Sequence, residues 1–209
     1  MDDVPVRTAG IRDREALRAR LHRAGGDIDH EGWLLGDEGH DRATGERRPA
    51  AVLLGLVDRP AGPCIILTQR TAHLRDHAGQ ISLPGGSMEP EDAGPADAAL
   101  REAQEEIGLA PSKVELLGGL RHYDTITGFR IHPVVGWIEP PVALRPDPYE
   151  VAEVFELPLG FALDPANHRR DSYDRNGVRR HFYVLPFENR YIWGATAGIL
   201  VNFARLLAD

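Results

Sequence analysis

The stretches LPGG at residues 83–86 and REAQEEIGL at residues 101–109 decide the fold of this chain. Between them the sequence changes from a short apolar run to a helical pattern, which Gly108 is suited to end. The apolar positions recur at i, i+3 and i+7 on one helical face, and they are Leu100, Ala103 and Ile107. The pattern therefore predicts a helix over residues 95–108, entered from a glycine turn.

Three glutamates share the polar side of this predicted helix. Glu102, Glu105 and Glu106 stand at i, i+3 and i+4, so their carboxylates point the same way and repel one another. Arg101 lies one turn before Glu105 and is expected to pair with it. Carboxylate oxygens gathered in this way suit Mg²⁺ or Mn²⁺, whereas an isolated acidic run is more often a solvated helix face.

The surrounding sequence favours the metal-binding interpretation. Residues 86–109 resemble the Nudix box, whose pattern is G-x5-E-x7-R-E-U-x-E-E-x-G-U with U aliphatic, and residues 101–109 match its second half at every fixed position. The first half departs from the pattern, because Asp92 stands where the box has Glu and eight residues separate it from Arg101. The coenzyme A pyrophosphatases, one Nudix subfamily, typically show this variant.

A second motif lies directly upstream of the box. Residues 66–86 resemble the subfamily pattern L-L-T-x-R-S/T-A-x3-R-x3-G-x3-F-P-G-G, with Ile66 in place of the first Leu, Leu83 in place of Phe, and two residues instead of three between Ala72 and Arg75. The two motifs run together over residues 66–109, about a fifth of the chain. The chain is thus identified, by resemblance, as a member of the coenzyme A pyrophosphatase subfamily of Nudix hydrolases.

The resemblance implies a metal site and leaves the general base open. It indicates Glu102, Glu105 and Glu106 as ligands of Mg²⁺ or Mn²⁺, the cofactors expected here. The base is a box glutamate, Glu102 or Glu105, or a glutamate of a later loop, for which Glu150 and Glu153 are the candidates. Either of the latter two is equally well interpreted as a solvated carboxylate at a strand end.

The upstream motif supplies the predicted substrate site. Arg70 and Arg75 lie inside it, and a guanidinium grips phosphate with two parallel hydrogen bonds, although either arginine could instead serve as a surface ion-pair partner. Gly85 and Gly86 lack side chains and so allow metal and phosphate to approach the helix entry closely.

The activity that the resemblance implies is hydrolysis of the pyrophosphate bond of coenzyme A. Free, oxidised or acylated CoA would be split into 3′,5′-ADP and 4′-phosphopantetheine or its derivative. Two alternatives remain. One is a Nudix hydrolase of another nucleoside diphosphate derivative, such as ADP-ribose, or of a nucleoside triphosphate. The other is a non-catalytic nucleotide-sensing domain, although such domains usually lose box carboxylates that this chain keeps.

Composition limits the partners. With 209 residues, 42% hydrophobic and 27% charged, the chain suits one globular domain, and its net charge of −8 argues against a basic nucleic-acid surface. Cys64 is the single cysteine, so no intrachain disulfide can form, which fits a reducing compartment. The chain has no apolar run long enough for a membrane span and no signal core, so we expect a cytoplasmic enzyme acting on a small molecule.

Strands and helices mix along the chain without strict alternation, which predicts an α+β class. The resemblance specifies it as the Nudix α/β/α sandwich with a mixed central sheet. Residues 1–49 are expected to form an extension with a helix over 11–24, which packs on the domain or joins two copies as a homodimer, and residues 50–209 the Nudix domain. The predicted strands are 50–57, 64–68, 81–83, 114–120, 131–138, 151–155 and an Asn-Gly hairpin of 171–173 with 178–185, and the later helices are 156–163 and 194–207.

Overall fold

The computed structural model describes residues 14–23, 47–73, 79–175 and 178–208. Arg75, most of the predicted loop before residue 47 and the Asn176-Gly177 turn lie outside the described residues. The elements, in chain order, are α1 (Arg14–Arg23), β1 (Arg48–Val57), β2 (Cys64–Arg70), β3 (Ile81–Ser82), β4 (Gly85–Ser87), α2 (Pro95–Ile107), β5 (Val114–Gly119), β6 (Tyr123–Asp124), β7 (Phe129–Ile138), β8 (Val151–Pro158), α3 (Leu159–Leu163), β9 (Arg169–Arg175), β10 (Val178–Phe187), β11 (Arg190–Trp193) and α4 (Gly194–Ala208).

Two sheets organise the described residues. The larger is mixed and has the strand order β3-β2-β1-β7-β5, with β4 added to β1, β6 to β7 and β8 to β2. Strand β1 pairs in parallel with β7 along its whole length and antiparallel with the start of β2, which confirms the predicted hairpin. The smaller sheet is antiparallel, with the order β11-β10-β9.

The larger sheet is buried on both faces because its strands alternate between two apolar layers. In β1, Leu53 packs with the apolar side of α2, whereas Leu54 belongs to the cluster that contains α4. The fold is therefore the predicted α+β sandwich, with α2 on one face of a mixed sheet and α4 on the other.

Helix α2 is bounded as the sequence predicts. A proline opens it, and Gly108 closes it in the left-handed conformation with φ of 67°. Its buried apolar residues, which belong to the cluster against the sheet, are Ala98, Ala99, Ala103 and Ile107. The predicted stripe was wrong in one respect, since Leu100 is only partly buried and the contact face is turned towards the alanines.

The predicted glycine turn is in part a strand. Gly85 and Gly86 pair with Val52 and Ala51 of β1, because β1 and β2 diverge and leave backbone groups of β1 for β4 to bond. Gly85 has φ of 152°, and a Cβ there would lie 2.3 Å from the Ala51 carbonyl oxygen, so this close pairing requires glycine. The short strands β6 and β11 were likewise not predicted.

Helix α1 lies against the main body. Leu17 and Leu21 are buried in the cluster around α4, and Arg18 forms a 2.5 Å ion pair with Glu115 of β5. Among the described residues, no helix has the length and apolar character needed to cross a membrane.

Candidate active site

Helix α2 turns Glu106 inwards, against the glycines of β4. Its side chain is 4% exposed, and the amide of Gly85 donates to its Oε2 at 3.4 Å. Because Glu106 follows Ala103 at i+3, it lies beside the apolar face that packs on the sheet. A carboxylate in this position is shielded from water and depends on protein groups for its charge balance.

Burial raises the pKa of Glu106 to about 7. The positive charge of Arg70 and the Gly85 amide act in the opposite direction, whereas the nearby carboxylates Glu102 and Glu150 raise the pKa further. The negative charge is thus incompletely offset within the protein, which is the condition that a bound cation relieves.

Glu102 lies one turn earlier on the same side of α2. Burial is the largest cause of its raised pKa, with further increases from Glu105 and Glu150, while Arg101 lowers it. A Cβ on Gly86 would lie 2.6 Å from the carboxylate carbon of Glu102. Gly86 therefore leaves the space that the Glu102 carboxylate occupies.

We expect Gly86→Ala to fold but to lower the rate of hydrolysis by about tenfold to a hundredfold. The three atoms nearest to the added methyl group would be the carboxylate atoms of Glu102, so we expect this side-chain end to be displaced while the backbone keeps its place. Shifts of this kind in positions that support a ligand have effects of this size. The melting temperature and kcat should be measured together, with Gly94→Ala as a control, since a Cβ there meets nothing within 4 Å. Unchanged kcat would contradict the role assigned to Gly86.

Glu105 faces outwards and Arg101 connects it to the rest of the site. The Nη1 atom of Arg101 donates to Glu102 and to Glu105, each at 3.0 Å, which confirms the predicted Arg101–Glu105 pair. The side chain of Glu105 is 60% exposed, in contrast to that of Glu102 at 18%. The three glutamates therefore differ in environment although the helix places them on one side.

Asp92, the residue that stands in place of the Glu of the box, binds Arg101. The Nε and Nη2 atoms of Arg101 donate to both Asp92 oxygens, at 3.0 and 3.1 Å, and Nη2 also donates to the Ser87 carbonyl. These bonds hold the pKa of Asp92 below its ordinary value. Asp92 is a partner of the arginine that positions Glu102, a role for which the spacing of acidic and basic residues in the sequence offered no separate signal.

Arg70, at the end of β2, reaches Glu106 from the opposite side of the site. Its Nη1 lies 3.6 Å from Glu106 Oε1, and its Nε is buried without a hydrogen-bond partner among the described residues. A buried N–H donor without a protein acceptor is suited to an oxygen of a ligand. Its predicted companion Arg75 is outside the described residues.

The loop before β8 brings Glu150 close to the box glutamates. The Thr71 amide donates to the Glu150 carbonyl, the Thr71 hydroxyl donates to the Tyr149 carbonyl, and the Asp147 amide donates to the Glu106 carbonyl. The influence of the Glu150 charge on the pKa values of Glu102 and Glu106 reflects this proximity. The Thr after Arg70 was not singled out from the sequence as a positioning residue.

Glu153 lies on the other face of the sheet. Its strand neighbour Val154 packs with the α2 cluster, whereas Phe155 belongs to the α4 cluster, so alternation places Glu153 on the α4 side. There it forms a 2.5 Å ion pair with Arg190. The structure thus brings Glu150 to the box glutamates and directs Glu153 away from them.

The carboxylate side chains of this site are chemically suited to bind a divalent cation. Within the described ranges, no three His, Cys, Asp or Glu side chains already surround a single point. Glu102 and Glu106 nevertheless supply hard oxygen donors, both carry pKa values raised by burial, and the lack of a side chain at Gly86 makes room for the Glu102 carboxylate. Glu105 differs from them in being 60% exposed, and it shares Arg101 with Glu102.

Comparison with known proteins identifies the family of this chain. The model of the NUDIX domain matches residues 46–175. The chain belongs to the Nudix family. NudL of Escherichia coli (strain K12), described as an uncharacterized Nudix hydrolase, is 43% identical over 164 residues, which cover 78% of this chain and 85% of NudL.

Two of the solved structures that this chain resembles are described as Nudix proteins. RenU, a Nudix hydrolase from M. smegmatis, is 25% identical and has a TM-score of 0.46, covering 62% of this chain and 81% of RenU. A MutT/nudix family protein from Enterococcus faecalis is 14% identical with a TM-score of 0.48, covering 100% of this chain and 76% of that protein. The chain is a Nudix hydrolase, and enzymes of this family generally need divalent cations such as Mg²⁺ or Mn²⁺.

The raised pKa of Glu106 predicts how the stability of the metal-free Nudix hydrolase varies with pH. Between about pH 4.5 and about pH 7 the folded state retains a proton that the unfolded state has released, so the free energy of unfolding falls as pH rises. The shift corresponds to a loss on the order of 3 kcal/mol. Urea unfolding with a chelator at pH 5 and pH 8 measures it, and Glu106→Gln, which cannot ionise, should lack this part of the loss.

Proposed function

We propose that the protein is a Mg²⁺- or Mn²⁺-dependent pyrophosphohydrolase of coenzyme A, including its oxidised or acylated forms. The observation that carries the proposal concerns Arg70, a residue of the upstream motif. Its Nη1 lies 3.6 Å from Oε1 of the box glutamate Glu106, and its Nε is buried with no hydrogen-bond partner among the described residues. The fit of residues 66–86 to the CoA pyrophosphatase pattern supports the choice of substrate.

In this proposal Glu102 and Glu106 hold the cation, and Glu105 contributes when it exchanges Arg101 for the metal. A bound divalent cation neutralises charge on the bridging phosphates and makes a bound water more acidic. Arg70 grips a phosphate oxygen of the substrate with the donors that Glu106 leaves free. Arg75 is proposed to contact the 3′-phosphate, on the strength of its place in the motif.

Glu150 is the proposed general base, in preference to Glu153. It lies on the same side of the sheet as Glu102 and Glu106, whereas Glu153 faces the α4 side and pairs with Arg190. The proton of the attacking water passes to the Glu150 carboxylate as the water oxygen bonds to phosphorus. The bond from that phosphorus to the bridging oxygen breaks, and the two products are 3′,5′-ADP and 4′-phosphopantetheine. Glu102 and Glu105 remain the alternative bases.

The other assignments made from the sequence complete the proposal. We propose that residues 1–49 extend a Nudix domain of residues 50–209, that the enzyme acts in the cytoplasm on a small molecule and on neither nucleic acid nor membrane, and that α1 offers a surface for a homodimer. The single cysteine, Cys64, supports the cytoplasmic location. The acidic net charge supports the absence of nucleic-acid binding.

Product analysis tests the reaction and the substrate together. The protein is incubated with CoA, dephospho-CoA, ADP-ribose and a nucleoside triphosphate, each with Mg²⁺, Mn²⁺ or chelator, and the products are separated by chromatography. Metal-dependent 3′,5′-ADP from CoA, well above the other turnovers, is the expected result. Faster hydrolysis of another compound would overturn the CoA assignment, and cation binding without any turnover would favour a nucleotide sensor.

An Arg75 variant tests which group of the substrate this arginine binds. Arg75→Ala is compared with wild type on CoA and on dephospho-CoA, which lacks the 3′-phosphate. The expected result is a larger loss of kcat/KM on CoA than on dephospho-CoA, because only CoA offers the group that Arg75 is proposed to bind. Equal losses on both substrates would remove that role.

A further inference from the structure

The chain segment of residues 147–150 carries Glu150 and is bonded to the active site at both of its ends. At one end the Asp147 amide donates to the Glu106 carbonyl of α2 at 2.8 Å. At the other end the Thr71 amide, directly after β2, donates to the Glu150 carbonyl at 2.9 Å. The segment therefore bridges the box helix and the end of β2.

Thr71 also holds this segment through its side chain. The hydroxyl donates to the Tyr149 carbonyl at 2.8 Å, and the residue is 7% exposed. The Tyr149 carbonyl belongs to the peptide unit before the Glu150 Cα, and the Glu150 carbonyl belongs to the peptide unit after it. Because peptide units are planar, holding both of them restricts φ and ψ of Glu150, and these two angles set the direction of its Cβ.

Asp147 gives the segment its shape. Its Oδ1 accepts from the Tyr149 amide at 2.8 Å, and its carbonyl accepts from the amides of Glu150 and Val151 at 3.1 and 2.8 Å. These bonds close a turn but do not attach it to β2. The attachment comes from Thr71, whose hydroxyl bond can be removed by substitution while its amide bond stays.

A bulge interrupts the pairing of β8 with β2 next to Glu150. Gln69 pairs with Glu153 and Arg70 pairs with Val151, so one extra residue of β8 lies between these two pairs. The regular ladder of backbone hydrogen bonds is disrupted at such a point. The orientation of Glu150 therefore depends on its own bonds rather than on a continuous ladder.

Thr71 follows Arg70 directly, so the upstream motif holds two parts of the proposed reaction site. Arg70 Nη1 lies 3.6 Å from Glu106 Oε1, and Thr71 binds the backbone on either side of the Glu150 Cα. A general base must lie within hydrogen-bond distance of the proton that it accepts, and a displacement of about 1 Å lowers the rate of a reaction strongly. The hydroxyl bond of Thr71 is therefore expected to matter for the reaction as well as for the fold.

We propose that Thr71 is a positioning residue of the hydrolysis, whose hydroxyl orients Glu150 so that its carboxylate accepts the proton of the attacking water. As the water oxygen bonds to phosphorus and the bond to the bridging oxygen breaks, the water proton passes to Glu150 and Thr71 keeps its own. The inference rests on the proposed function, because it takes Glu150 as the general base. It goes further by assigning to the reaction a motif residue that acts through the backbone of that base.

Steady-state kinetics of Thr71→Val and Thr71→Ser test the inference, with Mg²⁺ and the nucleotide that the wild type hydrolyses fastest. Valine matches threonine in shape but lacks the hydroxyl, so we expect kcat to fall about tenfold. KM should stay within about twofold, because Arg70 keeps its place. Serine keeps the hydroxyl and should bring kcat to within about twofold of wild type. Wild-type kcat in the valine variant would overturn the inference, and Thr71→Ala replaces that variant if it does not fold.

Thr196→Val is the matched control. The Thr196 hydroxyl donates to the Ile81 carbonyl at 3.0 Å and the residue is 9% exposed, so the substitution removes a similarly buried bond to a backbone carbonyl. The loss of stability should resemble that of Thr71→Val, whereas kcat should stay within about twofold of wild type. An equal fall of kcat in the two variants would trace the effect to a general loss of stability and remove the role of Thr71.

A double-mutant cycle shows whether Thr71 acts through Glu150. Glu150→Gln alone should lower kcat about a hundredfold, because the general base is lost. Adding Thr71→Val to that variant should lower kcat no further, since no base is left to orient. Losses that multiply would contradict the positioning role. Wild-type kcat in Glu150→Gln would contradict it as well, together with the choice of Glu150 as the base.

The inference and the CoA assignment can fail separately. If a nucleotide other than CoA is hydrolysed fastest, the CoA assignment is overturned and the Thr71 variants are still measured with that nucleotide. Hydrolysis of CoA with wild-type kcat in Thr71→Val would overturn the inference alone. Absence of turnover with every nucleotide would overturn both.

Discussion

Glu106→Gln is expected to lower kcat/KM for pyrophosphate hydrolysis by about a thousandfold, which corresponds to several kcal/mol of lost transition-state stabilisation. The substitution keeps the size of the side chain and its contact with the Gly85 amide but removes the charge that would bind a cation. Because Glu106 is 4% exposed and its charge is incompletely offset, the fold should be retained or slightly stabilised above neutral pH. Steady-state kinetics and urea unfolding of the same preparations measure both effects.

Glu105→Gln, one residue earlier on α2, is the comparison for this prediction. Its side chain is 60% exposed and bound to Arg101, so we expect its loss of activity to be much smaller, about tenfold. Losses of equal size in the two variants would contradict the ranking of the glutamates by burial. Wild-type activity in Glu106→Gln would remove Glu106 from the cation site altogether.

Arg101→Met is expected to give the largest loss of stability, about 3 kcal/mol in the free energy of unfolding. It leaves Asp92, whose side chain is 4% exposed, without the guanidinium that binds both of its oxygens. Activity should also fall about tenfold or more, because Glu102 loses its bond to Arg101 Nη1. Chemical unfolding and kinetics measure the two consequences separately.

A double-mutant cycle isolates the Asp92–Arg101 contact. Asp92→Asn alone should cost less than Arg101→Met, because Arg101 keeps its bonds to Glu102, Glu105 and the Ser87 carbonyl. In the double variant no buried carboxylate is left unpaired, so the combined loss should be smaller than the sum of the single losses by about 1 kcal/mol or more. Additive losses would show that the contact contributes little.

Helix α2 was predictable from local sequence. Proline at its start and glycine at its end are local signals, and the 3.6-residue period places Glu102 and Glu106 on one side regardless of the rest of the chain. The two departures from the Nudix box pattern, Asp92 in place of Glu and the longer spacing to Arg101, were visible in the sequence as well. Their reason was not, because the bond between Asp92 and Arg101 depends on the path of the loop that joins β4 to α2.

The short strands were not predictable because they lack a signal of their own. Gly85 and Gly86 have no side chains to suggest a strand, and they pair because β1 offers unbonded backbone groups where it leaves β2. Strand β11 has four residues and depends on β10 for its pairing. The place of this strand in the fold was therefore not evident from the sequence.

By itself, the sequence determined the Nudix family, the α+β class, the box helix and the set of acidic residues from which a cation site can be built, because motif spacing and helical period are local properties. Only the tertiary structure decided that Glu106 is buried while Glu105 is solvated, and that Glu150 approaches the box glutamates while Glu153 faces away. The physical reason is that burial and the direction of a strand's side chains depend on which surfaces pack together. That packing is set by contacts between residues far apart in the chain.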